Sequence, residues 1–540
     1  MWVWIFLSCS GSAKNKSQDT GGGGEREAEP TYCELLNLTE RPFDESSPAD
    51  LIRHAPSGDF TVALRDGTDW RLSDNWTGCD TYVFIPHGLP ISQLDASSFW
   101  NTDVGELIAA SPENVHYFFV VTGQDPSVAE SMGAGIEGQI ELALGQLGGA
   151  EAAWWADKLH VVADPSIYND DLVGYMFRKP LSRYGWAIDR SQKIRTLGSH
   201  AAVEAYSSQL SNAGAWPWEY RLSSVAHEAV YFNFEASRQE RLDAQTDVTT
   251  LTVFDGTVYE EYEDGTLSLP DASTMQGFDT LELDIRMECP DTSDVEIGNC
   301  GAWDYLAHLW LYDESEDSWL EMGRFITTYH RESRWVVDAS HALAWLQEGG
   351  DRTVRYSWAP SWNTQPTGIT LSVRLFNQGK GMAPRKIVPL FTGGSFNSAY
   401  NDREPVEVDI DGSAQKVELV VITTGHGMDS QNCAEFCDHS HHFTVGGQTY
   451  DQTFPAVNSD TGCQETVSTG TVPNQGGTWW FGRGGWCPGR EVEPFVVDVT
   501  GDVSVGGTSA FSYAAKLNGN DNIIDNAGNI ELRSWAVMYW

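Results

Sequence analysis

Basic residues are scarce in this chain. Its 33 Lys and Arg stand against 77 Asp and Glu, a formal net charge of −44. Nucleic acid and anionic membrane surfaces both need basic patches, so neither is a partner that this composition suits. The acidity reads as solvation of an exposed surface. Long apolar runs are missing as well: no stretch approaches the ~18 residues that a membrane helix needs. Cysteine pairs at zinc-ribbon spacing are absent, and no repeat recurs at a solenoid period.

What is present points to export. Trp2 to Leu7 is a short apolar run that ends at Ser8-Cys9, and a polar stretch to Pro30 follows with Gly21 to Gly24 inside it. This order resembles a bacterial lipoprotein signal in which Cys9 is lipidated, giving a lipid-anchored cell-surface or outer-membrane protein. A plain secretory signal and a secreted protein is the other reading. Of nine cysteines, setting Cys9 aside leaves an even eight, as an oxidising compartment favours. Eight allow ~105 pairings. Proximity suggests Cys33–Cys79, Cys289–Cys300, Cys433–Cys437 and Cys463–Cys487.

A length of 540 residues implies about three domains. Residues 1–30 read as signal and tether. Residues 31–240 alternate strand and helix patterns, as an α/β sheet requires: strands at Asp59 to Arg65, Tyr82 to Ile85, Val115 to Val121, His160 to Ala163 and Gly185 to Ile188, helices at Asp103 to Ala110 and Ile136 to Lys158. From about Thr249 onward short alternating strands dominate, among them Leu281 to Met287, Ala307 to Tyr312, Ile369 to Phe376 and Val417 to Ile422. Their spacing predicts sandwich or jelly-roll architecture, with room for two units, 249–385 and 386–540.

Four segments carry candidate chemistry. Asp304 follows Trp303 just after Cys300; an acid beside a large ring is partly desolvated and suits acid–base work, though it could equally cap a turn. Glu435 lies between Cys433 and Cys437, and a closed loop that small would hold its carboxylate rigidly. His426, His439, His441 and His442, with Met428, offer ligands that copper or zinc would accept. Trp479, Trp480 and Trp486 surround Arg483 on a Gly-rich backbone, which predicts either a stacking platform for a carbohydrate or the edge of a Trp-rich core.

Taken together, Glu288-Cys289-Pro290, Cys300-Gly-Ala-Trp303-Asp304, Gly323-Arg-Phe-Ile-Thr327, Cys433-Ala-Glu435-Phe436-Cys437 and Gly485-Trp486-Cys487-Pro488-Gly489 stand in an order that resembles the peptide-N-glycosidase F family. The resemblance spans about residues 250–540. It implies two jelly-roll domains with a cleft between them, hydrolysis of the amide joining N-acetylglucosamine to asparagine in N-glycoproteins, and no cofactor. It makes Asp304 and Glu435 catalytic, and it places Arg483, Trp486, Trp303, Trp362 and His426 on the substrate side. The last three cysteine pairs match that family's disulfides. Three departures stand out: Tyr305 replaces an Arg, the Val354 to Trp362 segment lacks a Glu, and Gly425-His426-Gly427-Met428 replaces Gly-Trp-Gly-His. They open a second reading, a glycan-binding homologue without catalysis.

The double jelly roll is shared with copper monooxygenases, so the histidines keep a copper enzyme as a third reading. The N-terminal unit more weakly resembles a thioredoxin-like domain. Pro86-His87-Gly88-Leu89-Pro90 stands where redox cysteines would, so the expectation there is a scaffold or partner-binding role.

Overall fold

The computed structural model describes residues 30–46, 52–87, 100, 103–121, 125–163, 173–178, 184–200, 221–427, 433–522 and 528–540. Cys9, the apolar run before it and Met428 lie outside these residues. Among the described residues, no helix is long and apolar enough to cross a membrane.

The N-terminal unit is built on a five-stranded mixed sheet in the order Leu159–Val162, Val115–Val120, Thr81–Pro86, Trp186–Ile188, Ile194–Thr196. The first three strands run parallel and the last two antiparallel. The parallel strands are buried along their whole length, as helix-covered strands are. The expected helix over Ile136 to Lys158 is two helices, Pro126–Leu144 and Gly149–Ala156. Gly145, Gly148 and Gly149 stand at the break, where helix propensity is lowest. The Asp59 to Arg65 strand shrinks to Thr61–Ala63, paired with Asp69–Arg71 as a two-stranded ribbon. A 22-residue helix, Ser223–Ala244, closes the unit and was not expected from the sequence. Its buried side, including Ala226, Glu228, Ala229 and Phe232, mixes charged and apolar residues, which blurs the period.

The remainder is antiparallel β-structure. Two four-stranded sheets run Ser333–Asp338, Thr280–Glu288, Thr367–Phe376, Thr249–Tyr259, and Ser318–Ile326, Leu306–Asp313, Gly349–Ser357, Tyr262–Asp271. Counted along the chain, these orders are 6-3-8-1 and 5-4-7-2, the jelly-roll arrangement. The same two orders recur in a second pair of sheets: Pro384–Ser395, Asn529–Tyr539, Lys416–His426, Phe495–Asp498, and Val406–Asp409, Thr508–Leu517, His439–Val445, Gln448–Gln452. Strands such as Thr508–Leu517 bury every second residue, as one-sided sheets do. Lys416–His426 is instead buried on both faces. One face fills its own sandwich through Val417, Leu419 and Val421; the other, through Val420 and Ile422, meets Ile326 of the first sandwich.

The three units share buried contacts. The apolar core of the N-terminal sheet continues through Ala226 and Phe232 of the closing helix into Tyr329, Val472, Trp479 and Trp480 of the sandwiches. Glu228 on that helix is fully buried and accepts from Arg331 (2.9 Å), Gly198 N (2.8 Å) and Asn474 Nδ2 (2.9 Å).

Candidate active site

Asp304 lies between the Cys289–Cys300 disulfide and the Leu306–Asp313 strand. The backbone on both sides of it is tied to Thr327, whose hydroxyl donates to Trp303 O (2.6 Å) and accepts from Tyr305 N (2.8 Å). One carboxylate oxygen of Asp304, Oδ2, accepts from the Tyr329 hydroxyl and lies 3.8 Å from Nη2 of Arg483.

Glu435 comes from the second sandwich. The Cys433–Cys437 disulfide closes its loop, and Phe436 and Cys437 both donate back to Cys433 O. Glu435 N donates to Gly427 O (3.3 Å) and Glu435 O accepts from Gly484 N (2.7 Å), so the backbone of the loop is fixed from two sides. Gly484 sits against His439: a Cβ there would come 2.1 Å from its Nε2, so no other residue fits without a shift. The Glu435 carboxylate accepts from Arg483 Nε at 3.1 Å.

Arg483 therefore joins the two acids. Its side chain has no solvent exposure. Nη1 donates to Phe481 O (2.9 Å) and Nη2 to Thr478 O (3.0 Å), while Phe436 and Trp486 cover its guanidinium at 5.1 and 4.7 Å. Five donors in one fixed fork can hold such a set, which a lysine could not.

Burial pushes the Asp304 carboxyl above its usual range, against the opposing pull of Arg483 and the Tyr329 hydrogen bond. Burial also raises Glu435, and the charge of Asp304 adds to it, with Arg483 again opposing. Two acids near one cation, both held toward the protonated form, are suited to exchange protons with a bound group.

The residues expected on the substrate side divide into two groups. Trp303 (56% exposed) and Trp362 (68% exposed) are open to solvent, and the ring of Trp362 meets Tyr305 edge-on at 5.5 Å. Trp486 and Arg483 are buried, and so are Trp479 and Trp480. This corrects the open stacking platform: these rings are packed in the interior, and Trp486 spends its indole N–H on Gly425 O (2.9 Å). His426, half-buried, stacks on Trp486 at 5.5 Å and contacts Thr424 Oγ1 at 2.8 Å; burial and the neighbouring Arg324 charge push its pKa down to about 3. Tyr329 was missed, since nothing marks a lone Tyr two positions past the Gly323 to Thr327 motif. Gln475, whose Oε1 accepts from Tyr329 N (2.8 Å), was missed too.

The histidines do not form the metal set the sequence allowed. His439 Nδ1 and His441 Nε2 are 2.9 Å apart in a hydrogen bond, and His441 Nδ1 binds the Tyr513 hydroxyl (2.7 Å). His442 contacts Asp451 (2.6 Å) on the other face of the strand. Among the described residues the one group of three potential ligands is Cys289, Cys300 and Glu332, and its cysteines are a disulfide. These residues do not fit a copper centre.

Residues 395–536 match the family described as "Peptide-N-glycosidase F, C terminal". The C-terminal half of the chain is similar to peptide-N-glycosidase F. Peptide-N(4)-(N-acetyl-beta-D-glucosaminyl)asparagine amidase F of Elizabethkingia miricola is 23% identical over 282 residues, 46% of this chain and 71% of that protein. Among solved structures, the peptide-N-glycosidase F of Flavobacterium meningosepticum is 19% identical, covering 54% of this chain and 96% of its own, at a TM-score of 0.42. PNGF-II is 12% identical over 56% of this chain and 67% of its own, with a TM-score of 0.41.

Proposed function

We propose that this protein is an exported amidase that hydrolyses the N-acetylglucosamine–asparagine bond of N-linked glycoproteins. The observation that carries the reading is the Asp304–Arg483–Glu435 set, in which two raised carboxyls from different sandwiches flank one sealed guanidinium. Asp304 accepts a proton from the attacking water. Glu435 stabilises or protonates groups around the scissile amide, so that asparagine becomes aspartate and a glycosylamine leaves. Arg483 keeps the two carboxyls apart in charge and fixed in place. No step in this scheme calls on a metal or other cofactor. Supporting it are the related amidase named above and the exposed Trp303 and Trp362 rings, which offer faces to a sugar.

A second reading, a glycan-binding homologue without turnover, rests on the Val354 to Trp362 segment, which has no acid and places Trp358 in the core. The N-terminal unit serves in either case as a thioredoxin-type scaffold without redox cysteines. Incubation of the full chain with a denatured N-glycopeptide, followed by mass spectrometry, tests the first reading. Released glycan with conversion of asparagine to aspartate is expected. Glycan binding without that mass change, across several glycan types, would replace it with the second.

A further inference from the structure

A cavity of about 230 Å³ lies where the helix Ser223–Ala244 meets the sheet that carries strand Thr280–Glu288. Seven arginines and Lys193 line it, out of 33 basic residues in a chain of net charge −44. Asp304, Glu435 and Arg483 are not among its lining residues. Carboxylates hold most of these arginines, as Asp189 holds Arg195 (3.1 Å), Glu228 holds Arg331 (2.9 Å) and Asp284 holds Arg334 (2.7 Å). Arg286 differs from them. It is exposed, lines the cavity, and makes no ion pair or side-chain hydrogen bond among the described residues.

Arg286 stands directly opposite Arg334 on the neighbouring strand. Like charges at opposite positions of an antiparallel pair destabilise it. Arg334 is already engaged: its Nε and Nη2 donate to the two Asp284 oxygens (2.8 and 2.7 Å), and its Nη1 donates to Gln239 of the helix (2.7 Å). Arg238, one helix residue earlier, brings a third guanidinium, with its side chain 5% exposed. Its Nη1 donates to Arg334 O (2.6 Å), while Glu491 and Glu235 stand off at 3.5 and 3.7 Å. Its Nε is buried with no partner, and a buried N–H without an acceptor carries its full desolvation cost. Partial desolvation in the cavity, then the Arg334 charge, pull the Arg286 guanidinium below its usual range; the charges of Asp284 and Glu288 oppose this without restoring it, and Arg238 adds to the pull.

We propose that this corner of the cavity binds a small tetrahedral oxyanion, sulfate or phosphate, between Arg286, Arg334 and Arg238. Three guanidiniums from two elements, a sheet and a helix, favour an acceptor that can be approached from several directions. A tetrahedral anion is such an acceptor, whereas a planar carboxylate matches a single fork. The cavity is smaller than the ~300 Å³ at which pockets for larger organic ligands begin. Its occupant is therefore a free ion or the one charged group of a sugar ester. Bound there, the anion offsets the repulsion between Arg286 and Arg334 and ties the helix of the N-terminal unit to the first sandwich.

The test is isothermal titration calorimetry of the full chain at constant ionic strength, with sodium sulfate, sodium phosphate, N-acetylglucosamine 6-sulfate and sodium acetate in turn, chloride making up the remainder. Sulfate and phosphate should each saturate one site, and acetate should not bind. Binding of the sugar sulfate as well assigns the group to an ester, and its exclusion assigns a free ion. Arg286→Gln should weaken sulfate binding about tenfold. Arg286→Lys, which keeps the charge and loses the fork, should weaken it by less. Arg355→Gln, on the other sheet of the same sandwich, should leave it unchanged. In chloride alone Arg286→Gln should melt no lower than the native chain, because a like-charge pair is gone. Sulfate also raises melting temperatures by its exclusion from protein surfaces, but that rise does not saturate and does not depend on Arg286. No saturable heat with sulfate or phosphate, equal sulfate affinity in Arg286→Gln, or acetate binding as tightly as sulfate would overturn the proposal. Should Arg286→Gln fail to fold, Arg286→Lys decides, and undiminished sulfate binding there overturns it too.

Discussion

The hydroxyl of Tyr329 donates to Oδ2 of Asp304, the oxygen that Arg483 also approaches. That bond stabilises the carboxylate form, so it works against the burial that raises the Asp304 pKa. Tyr329→Phe should therefore raise that pKa further. The acid limb of the pH–rate profile for glycopeptide cleavage is expected to move to higher pH by about one unit, equivalent to ~1.4 kcal/mol. The backbone bond from Tyr329 N to Gln475 is untouched, so the melting temperature should hold.

Asp304 and Glu435 are both raised in the fold. A carboxyl whose folded pKa exceeds its unfolded one adds stability when protonated, and that contribution is lost as pH rises through the folded pKa. At neutral pH the fold therefore carries the cost of keeping Asp304 charged. Asp304→Asn is expected to abolish turnover while leaving the melting temperature at pH 7 equal or higher. The difference from the native chain should shrink as pH falls through the Asp304 pKa. Thermal denaturation across pH checks this; a large loss of stability at pH 7 would show that the carboxylate is structural.

Glu228 belongs to the N-terminal unit, yet it holds the loop that carries Gln475, through Asn474 and Arg331. Ser199 adds two bonds to the same loop, its N to Asn474 O (2.7 Å) and its Oγ to Gln475 O (2.9 Å). The chain of contacts runs on through Gln475 to Tyr329 and so to Asp304. Breaking a buried charge pair costs ~3–5 kcal/mol. Glu228→Gln should lower the melting temperature, and kcat should fall more than KM changes, because the loop is loosened behind the acids and not on the substrate face. A kinetic series with calorimetry on the same samples separates the two effects.

What the sequence made legible follows from how local each signal is. The order of the cysteine and Trp-Asp motifs marked Asp304, Glu435 and Arg483, which the structure joins through one guanidinium. Two-residue alternation marked several of the sandwich strands. What stayed hidden is long-range. Tyr329 and Gln475 matter through contacts 25 and 146 residues away. Arg483 and Trp486 looked like a binding face because an aromatic cluster reads alike whether open or packed, and only the fold shows that they are buried.

The exposed rings provide the remaining test. Trp362 and Trp303 are both exposed; the Trp362 ring meets Tyr305 edge-on, and Trp303 adjoins Asp304 in the chain. Removal of an exposed side chain usually changes stability by less than ~0.5 kcal/mol, whereas apolar surface covered by a bound ligand contributes roughly 25 cal/mol per Å². Trp362→Ala should therefore raise KM for a glycopeptide by about 2- to 10-fold with kcat and melting temperature little changed. Trp303→Ala, next to the acid, should lower kcat as well. The same pair of variants bears on the glycan-binding reading, because weakened binding without any turnover in the native chain would assign the rings to recognition alone. Unchanged KM in Trp362→Ala would mean that the substrate does not cross this face, and that the sugar lies on the Glu435 side of Arg483.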